Sequence, residues 1–124
     1  MKPAVIIVRS LLGLMFLFAS VTYFFDLITP PPPEGAMKTF NDGLEASRYL
    51  LPTAKLVELL CGLAFLTGRF VPLASVLIAP ILVNIVLIHA FLDPKGLPIG
   101  LALAAGNVFL AWVNRARYRE LFRA

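Results

Sequence analysis

The sequence predicts an all-α integral membrane protein: a four-helix bundle with the N-terminus and the C-terminus both cytoplasmic. Hydrophobic residues make up 60% of the 124 positions and charged residues only 15%, which lies outside the range of soluble domains. The apolar residues fall into four runs, each close to the length that crosses a bilayer. Basic residues gather beside the ends of those runs that would share one side of the membrane. These three observations predict a single transmembrane domain over 1–124, with no sizeable soluble domain.

The first span is predicted over about 4–25. Arg9 alone interrupts its apolar run, which at about 1.5 Å per residue can cross roughly 30 Å of hydrocarbon. Asp26 and the four prolines at 30–33 end the helix, because proline lacks the amide donor, and a short polyproline II segment is expected there. A cleaved signal peptide is the competing interpretation, but Phe18 fits a cleavage site poorly and the apolar run is longer than usual.

The first loop, 26–51, is predicted to lie outside the cytoplasm. It contains the only mixed polar stretch of the chain, 34–50. Within that stretch, charged residues are interspersed with four large apolar or aromatic residues, Met37, Phe40, Leu44 and Tyr49. This pattern predicts a short helix that lies in the membrane interface.

The three remaining spans are predicted over 52–67, 72–92 and 98–114. Each begins with a proline in its first turn, where the missing amide donor costs no hydrogen bond. Gly68 and Arg69 end the second span, and the turn Asp93-Pro94-Lys95-Gly96 ends the third. A basic tail at 115–124 follows the last span and is predicted to be cytoplasmic.

The distribution of basic residues sets this orientation. The residues predicted to be cytoplasmic are Lys2, Arg9, Arg69, Arg115, Arg117, Arg119 and Arg123, and those on the other side are Lys38, Arg48, Lys55 and Lys95. The net charge of +4 therefore indicates membrane orientation. No nucleic-acid partner is expected, because the arginines cluster at one end and do not alternate with aromatic residues.

No motif in the sequence identifies a known reaction. Cys61 is the single cysteine, so thiol–disulfide exchange cannot run within this chain. His89 is the single histidine, which excludes haem ligation by two histidines of one chain, and no metal site is predicted. We therefore expect no independent catalytic activity.

Polar side chains inside the apolar spans are the candidate ligand-binding residues, because each costs a few kcal/mol at mid-bilayer and must face protein, water or a ligand. In an antiparallel bundle, Tyr23, Glu58 and His89 all fall in the outer half and can converge. Asp93, four residues after His89, is expected to orient the imidazole. Lys55, one turn before Glu58, is expected to orient that carboxylate, although a purely structural salt bridge is the alternative.

Three further residues complete the candidate set. Asn84 follows Pro80 by one turn, so its amide can serve the backbone at a proline kink or contact a ligand. Asn107 lies on a stripe of small residues in the fourth span, which is typical of a helix-packing face. Arg9 lies in the inner half near Asn114, where its simplest role is to reach lipid phosphate.

Three motifs together resemble the DoxX family. They are Arg9-x-x-x-Gly13-x-x-Phe16 in the first span, Glu58-Leu59-Leu60-Cys61-Gly62 with Gly68 in the second, and the run from Asn84 to Asp93 in the third. The resemblance implies a four-helix, multi-pass protein of the bacterial inner (plasma) membrane. It also implies a connection to redox chemistry, because members are linked to quinone-dependent oxidation of sulfur compounds, to methylamine utilisation and to oxidative-stress complexes.

These observations favour a small accessory or interaction subunit of a membrane redox system, with a pocket in the outer leaflet for a quinone or a lipid headgroup. A quinone is the one candidate cofactor. The candidate partners are membrane lipids, further copies of this chain and membrane redox proteins. Two alternatives remain open: a proton-coupled transporter of small molecules that uses Glu58, and a purely structural membrane protein.

Overall fold

The computed structural model describes residues 3–27 and 32–123, and every regular element within them is a helix. The α-helices are α1 (Pro3–Phe24), α2 (Gly35–Ser47), α3 (Leu50–Thr67), α4 (Val71–Phe91) and α5 (Leu97–Val113). Short 3-10 helices cover Pro94–Gly96 and Arg115–Phe122. Of the expected polyproline II segment, residues 30 and 31 lie outside the described residues.

Four helical stretches are long and apolar enough to cross a membrane: Pro3–Phe24, Leu50–Thr67, Val71–Phe91 and Pro94–Val113. The predicted all-α fold with four spanning helices is therefore confirmed. The polar stretch after α1 forms α2, as its apolar spacing predicts, and α2 is too short and too polar to be a fifth span.

The four long helices pack as a closed ring. Both α1 and α4 contact α3 and α5, so each long helix has two long neighbours. Most of the buried side chains are apolar, and they include Leu12, Phe16, Phe65, Ile78, Leu82 and Leu110. The rings of Phe16 and Phe65 join α1 to α3 with their centroids 6.2 Å apart. The short α2 lies outside this ring, against α3.

The backbones of α1 and α3 meet at two glycines. A Cβ atom on Gly13 would lie 2.9 Å from the carbonyl oxygen of Gly62, and one on Gly62 would lie 3.1 Å from the carbonyl oxygen of Gly13. No side chain fits between the two helices at this level. Close approach through small residues is the usual way in which membrane helices gain packing contacts, since lipid supplies no hydrophobic drive for them to associate.

Neighbouring helices in the ring run antiparallel, so the bundle has two distinct ends. The arginine end is where α1 and α4 begin and α3 and α5 finish, and it carries Arg9, Arg69, Arg115 and Arg117. The α2 end is where α3 begins and α4 finishes, and α2 covers it on one side.

The basic tail differs from the simple exit into the headgroup region that the sequence predicts. Its residues Arg115–Phe122 form a 3-10 helix, and the hydroxyl of Tyr118 donates a 2.8 Å hydrogen bond to the carbonyl oxygen of Pro72 at the start of α4. Burial raises the pKa of Tyr118, so the hydroxyl keeps its proton, and this hydrogen bond, well beyond neutral pH. The tail is thereby attached to the bundle.

Candidate functional site

A pocket of about 370 Å³ opens at the α2 end between three helices. The residues from α2 are Met37, Phe40, Asn41 and Leu44; those from the α3 side are Leu50, Leu51, Ala54, Lys55 and Glu58; and those from α4 are Pro80, Ile81, Asn84, Ile85 and Ile88. Most of these side chains are apolar. Four polar groups therefore stand out in the wall: the Asn41 and Asn84 amides, the Lys55 ammonium and the Glu58 carboxylate.

Lys55 and Glu58 form an ion pair on α3, with 3.2 Å between Lys55 Nζ and Glu58 Oε2. They are one turn apart, so the helix itself brings them together. Only 6% of the Glu58 side chain is exposed, against 22% of Lys55, so the carboxylate is the more enclosed partner. The expected orienting contact of Lys55 on Glu58 is present.

Asn84 presents its amide on the opposite wall, from α4. The residue is exposed and is not buried between helices. Pro80, one turn earlier, lines the same pocket while α4 continues through it. Asn84 is thus available to a ligand at the pocket, which is one of the two roles that the sequence allows.

The wall from α2 arises from helical spacing. Positions 37, 40, 41 and 44 follow the i, i+3, i+4, i+7 pattern, so they share one face of α2. Met37, Phe40 and Leu44 were expected on an amphipathic helix. Asn41 was not among the predicted site residues, although the same spacing places it between them on the face that turns toward α3 and α4.

The pocket therefore offers hydrogen-bond donors and acceptors within a largely apolar wall. The Lys55 ammonium donates, each asparagine amide donates and accepts, and the Glu58 carboxylate only accepts. Such a set suits a flat apolar molecule that carries oxygen atoms at its edge. Its volume lies within the range of about 300–1,000 Å³ that is typical of small-molecule sites.

Tyr23 does not join this pocket. Its side chain is exposed and stacks edge-on against Phe24, with ring centroids 5.3 Å apart. Tyr23 lies on the same stripe of α1 as the buried Gly13 and Ser20, but ten residues beyond the Gly13 crossing. Tyr23 is the second-last residue of α1, and the stripe that is buried at Ser20 is exposed by this point.

His89 also lies outside the pocket. Its imidazole occupies the space over two glycines: a Cβ atom on Gly96 would overlap the ring, and one on Gly100 would lie 3.4 Å from His89 Cδ2. The Nδ1 atom is 3.1 Å from the main-chain carbonyl oxygen of Asp93. Asp93 thus contacts the histidine as expected, but through its backbone and not through its carboxylate.

The expected convergence of Tyr23, Glu58 and His89 is therefore not found. Asn84 and His89 are five residues apart on α4, a rotation of about 140°, so only one of them can face α3. Asn84 takes that direction, and His89 faces the start of α5.

The last two candidates lie at other levels of the bundle. Asn107 is buried, and its amide nitrogen donates a 3.1 Å hydrogen bond to the carbonyl oxygen of Ser75, which joins α5 to α4 as a packing face would. Arg9 lies at the arginine end beside Gly68 and Asn114, far along α1 from the pocket. Neither residue contributes to the pocket at the α2 end.

Comparison with known proteins places the chain in a family. The family model described as DoxX matches residues 4–90, which is more than half of the chain and includes all of the pocket-lining residues. Neither the curated proteins nor the solved structures provide a significant match. The chain, a multi-pass membrane protein built on four spanning helices, belongs to the DoxX family.

Proposed function

We infer that the pocket at the α2 end binds the polar head of a quinone, and that the protein serves a membrane redox system as an accessory subunit. One observation carries this proposal: the Lys55–Glu58 ion pair and the Asn84 amide line the same largely apolar pocket. Ionised and amide groups within a span cost free energy unless polar groups or water meet them. A quinone head offers oxygen atoms at its edge and apolar ring faces to the remaining wall.

The pocket chemistry suits both redox states of such a ligand. Quinone oxygens only accept hydrogen bonds, and the Lys55 ammonium and the Asn84 amide can donate them. The hydroxyl groups of a quinol can donate to the Glu58 carboxylate. The chain can thus hold the ligand before and after its reduction without supplying electrons itself.

The accessory role follows from what this chain supplies. Electron transfer to a quinone needs a carrier, and a single cysteine with a single histidine provides neither a thiol pair nor a pair of haem ligands within one chain. The electrons must then come from a partner protein, while this chain positions the quinone. The link of DoxX members to redox chemistry, which the sequence resemblance implies, is compatible with this role.

Proton-coupled transport is less favoured. A carboxylate that exchanges protons with a substrate must be free to change its charge, whereas Glu58 is enclosed and already paired with Lys55. The ion pair therefore favours a fixed binding site over a transport site.

The test measures how much quinone the purified protein retains. Wild type and variants are reconstituted with a short-chain ubiquinone in nanodiscs of defined phospholipid, re-purified, and extracted for chromatography. The variants are Asn84→Leu and the double variant Lys55→Met/Glu58→Leu, which removes both charges together and leaves neither unpaired. We expect retention to fall roughly tenfold or more in the double variant, because a hydrogen bond to a charged group contributes about 1.5–3 kcal/mol. We expect a smaller fall, of roughly two- to tenfold, in Asn84→Leu, because a neutral hydrogen bond contributes about 0.5–1.5 kcal/mol.

The matched control is Lys38→Met/Asp42→Leu. It removes an ion pair of 3.1 Å on the exposed face of α2, where both side chains are more than half exposed, and should leave retention unchanged. Equal retention in wild type and in Lys55→Met/Glu58→Leu would refute the quinone site. Retention of phospholipid in place of ubiquinone would identify the pocket as a headgroup site instead.

A further inference from the structure

A second cavity, of about 510 Å³, opens at the arginine end of the bundle. It lies where α1 and α4 begin and where α3 and α5 finish. Three arginines, Arg9, Arg115 and Arg117, line it, and no carboxylate does so among the described residues. The cavity therefore has a strongly positive wall and is independent of the quinone pocket at the opposite end.

Arg9 is the enclosed member of the three. Its guanidinium lies directly against Gly68, where a Cβ atom would overlap Nη1. Gly68 ends α3 in the left-handed conformation, with φ at 76°, and so provides both the chain reversal and the space for this side chain. Both Arg9 and Gly68 belong to the motifs identified in the sequence, and the structure places them in contact.

The guanidinium of Arg9 has an unpaired donor among the described residues. Its Nε atom is buried and has no hydrogen-bond partner, and no carboxylate lies within 4.0 Å of its guanidinium in the part of the chain that is described. A buried donor without a partner costs about 1–3 kcal/mol. A guanidinium also carries a planar fork of donors that matches two oxygen atoms of one phosphate group.

The other side of the cavity continues this pattern. The guanidinium carbon of Arg115 lies 4.2 Å from the ring centroid of Trp112. Arg115 Nη1 donates a 2.9 Å hydrogen bond to the carbonyl oxygen of Trp112. Its other donors remain available. The first residue of α4, Val71, also lines the cavity, so the positive end of a helix dipole adds to the field.

We propose that this cavity binds a phosphate-bearing anion, with Arg9 as the principal ligand and with Arg115 and Arg117 as secondary ones. Two sources share that chemistry: the phosphodiester headgroup of an anionic membrane lipid, and a free phosphate or small phosphate ester. The apolar part of the wall, with Phe109 and the exposed Trp112, matches the first acyl carbons of a lipid, since indole rings favour the interfacial depth of a bilayer.

The test counts lipids bound to the purified protein by native mass spectrometry from micelles that contain equal amounts of phosphatidylglycerol and phosphatidylcholine. Wild type should retain phosphatidylglycerol preferentially. Arg9→Gln should retain roughly tenfold less phosphatidylglycerol than wild type, or less still, because it removes a charge-assisted hydrogen-bonded pair. The matched control is Arg69→Gln, the same charge change at an exposed position of the same end that does not line the cavity.

A second pair of variants covers the case in which Arg9→Gln fails to fold. Arg115→Gln/Arg117→Gln removes two lining charges from the tail, and Arg119→Gln/Arg123→Gln removes two exposed charges of the same region that do not line the cavity. Only the first double variant should weaken retention of phosphatidylglycerol. Retention of ubiquinone at the opposite end should be unchanged in both, which separates this site from the proposed function.

The outcomes distinguish the two sources. If added inorganic phosphate does not displace the lipid, the ligand is the lipid headgroup. If phosphate displaces the lipid, or if it protects delipidated wild type but not Arg9→Gln against heat, the ligand is the free anion. If Arg9→Gln and Arg69→Gln lost equal amounts of bound phosphatidylglycerol, the binding would depend on general surface charge, and the proposed site would be refuted. Equal retention of the two lipids by wild type, with no protection by phosphate, would overturn it as well.

Discussion

Lys55 and Glu58 form the most enclosed of the ion pairs among the described residues. Their side chains are 22% and 6% exposed, against 64% and 60% for Lys38 and Asp42 on α2. Solvent screens the exposed pair, which contributes at most about 1 kcal/mol. The enclosed pair is different, because either charge would be unfavourable without its partner.

This difference leads to a prediction about stability. Lys55→Met should lower the free energy of unfolding by about 3 kcal/mol, because it leaves the Glu58 carboxylate enclosed without a partner. Lys55→Met/Glu58→Leu should recover much of that loss. Unfolding in a detergent titration followed by circular dichroism measures both values. Lys38→Met should change the free energy by less than about 0.5 kcal/mol, and an equal effect of the two lysine changes would contradict the role given to burial.

Individual side chains also indicate where sequence reasoning reaches its limit. Depth in the membrane follows from position along a span, so the sequence supports an expectation of the level at which Glu58 and His89 lie. The direction in which each side chain points depends on which helices are neighbours, and the sequence does not state that. Asn84 and His89 could not share a face, but only the ring order of the helices decides that Asn84 faces α3.

At the scale of the helices, the positions where helices begin and end could be predicted because glycine and proline restrict the backbone there. Gly68 ends α3 in a left-handed conformation, and the prolines near the starts of α3, α4 and α5 lie in first turns, where their missing amides cost nothing. The 3-10 helix at Arg115–Phe122 could not be predicted in this way, because it includes Tyr118, whose hydrogen bond to Pro72 joins residues 46 positions apart in the chain.

The crossing of α1 and α3 depends on backbone contact and leads to a second prediction. Gly62→Ala should lower the free energy of unfolding by about 1–3 kcal/mol, because the new Cβ atom would lie 3.1 Å from the carbonyl oxygen of Gly13, and a main-chain atom cannot move without its helix. The measurement is the same detergent titration.

The matched control for that change is Gly106→Ala on α5. There the Cβ atom would lie 3.3 Å from Val8 Cγ1, a side-chain atom that can shift by rotation of its own bond. We expect no loss of stability and a gain of up to about 1 kcal/mol, because alanine favours a helix interior over glycine. A loss of stability in Gly106→Ala that equals the loss in Gly62→Ala would argue against a special role for the α1–α3 crossing.

For the whole molecule, the unequal charge of the two ends gives a third prediction, which concerns orientation. The arginine end should lie in the cytoplasm and α2 on the opposite side, because basic residues near span ends are retained in the cytoplasm. Cys61 is 2% exposed, so the natural cysteine should give little background in labelling. Asp42→Cys should react with a membrane-impermeant maleimide in intact bacterial spheroplasts, and Ala116→Cys only after permeabilisation.

Wild type serves as the control for that experiment and should remain unlabelled in both conditions. The reverse pattern, with Ala116→Cys labelled in intact spheroplasts, would place the arginine end outside the cytoplasm. It would also move the proposed anion cavity to the outer leaflet and the quinone pocket to the inner one.

The fixed position of α4 has a consequence for how the chain can vary in length. The carbonyl oxygens of Pro72 and Ser75 accept hydrogen bonds from Tyr118 and Asn107, and His89 fits against the glycine at position 96. Inserting one residue between Ser75 and His89 would rotate one half of α4 by about 100° against the other and lengthen it by about 1.5 Å. The two ends could not both keep their contacts, so changes in length should not be tolerated within α4.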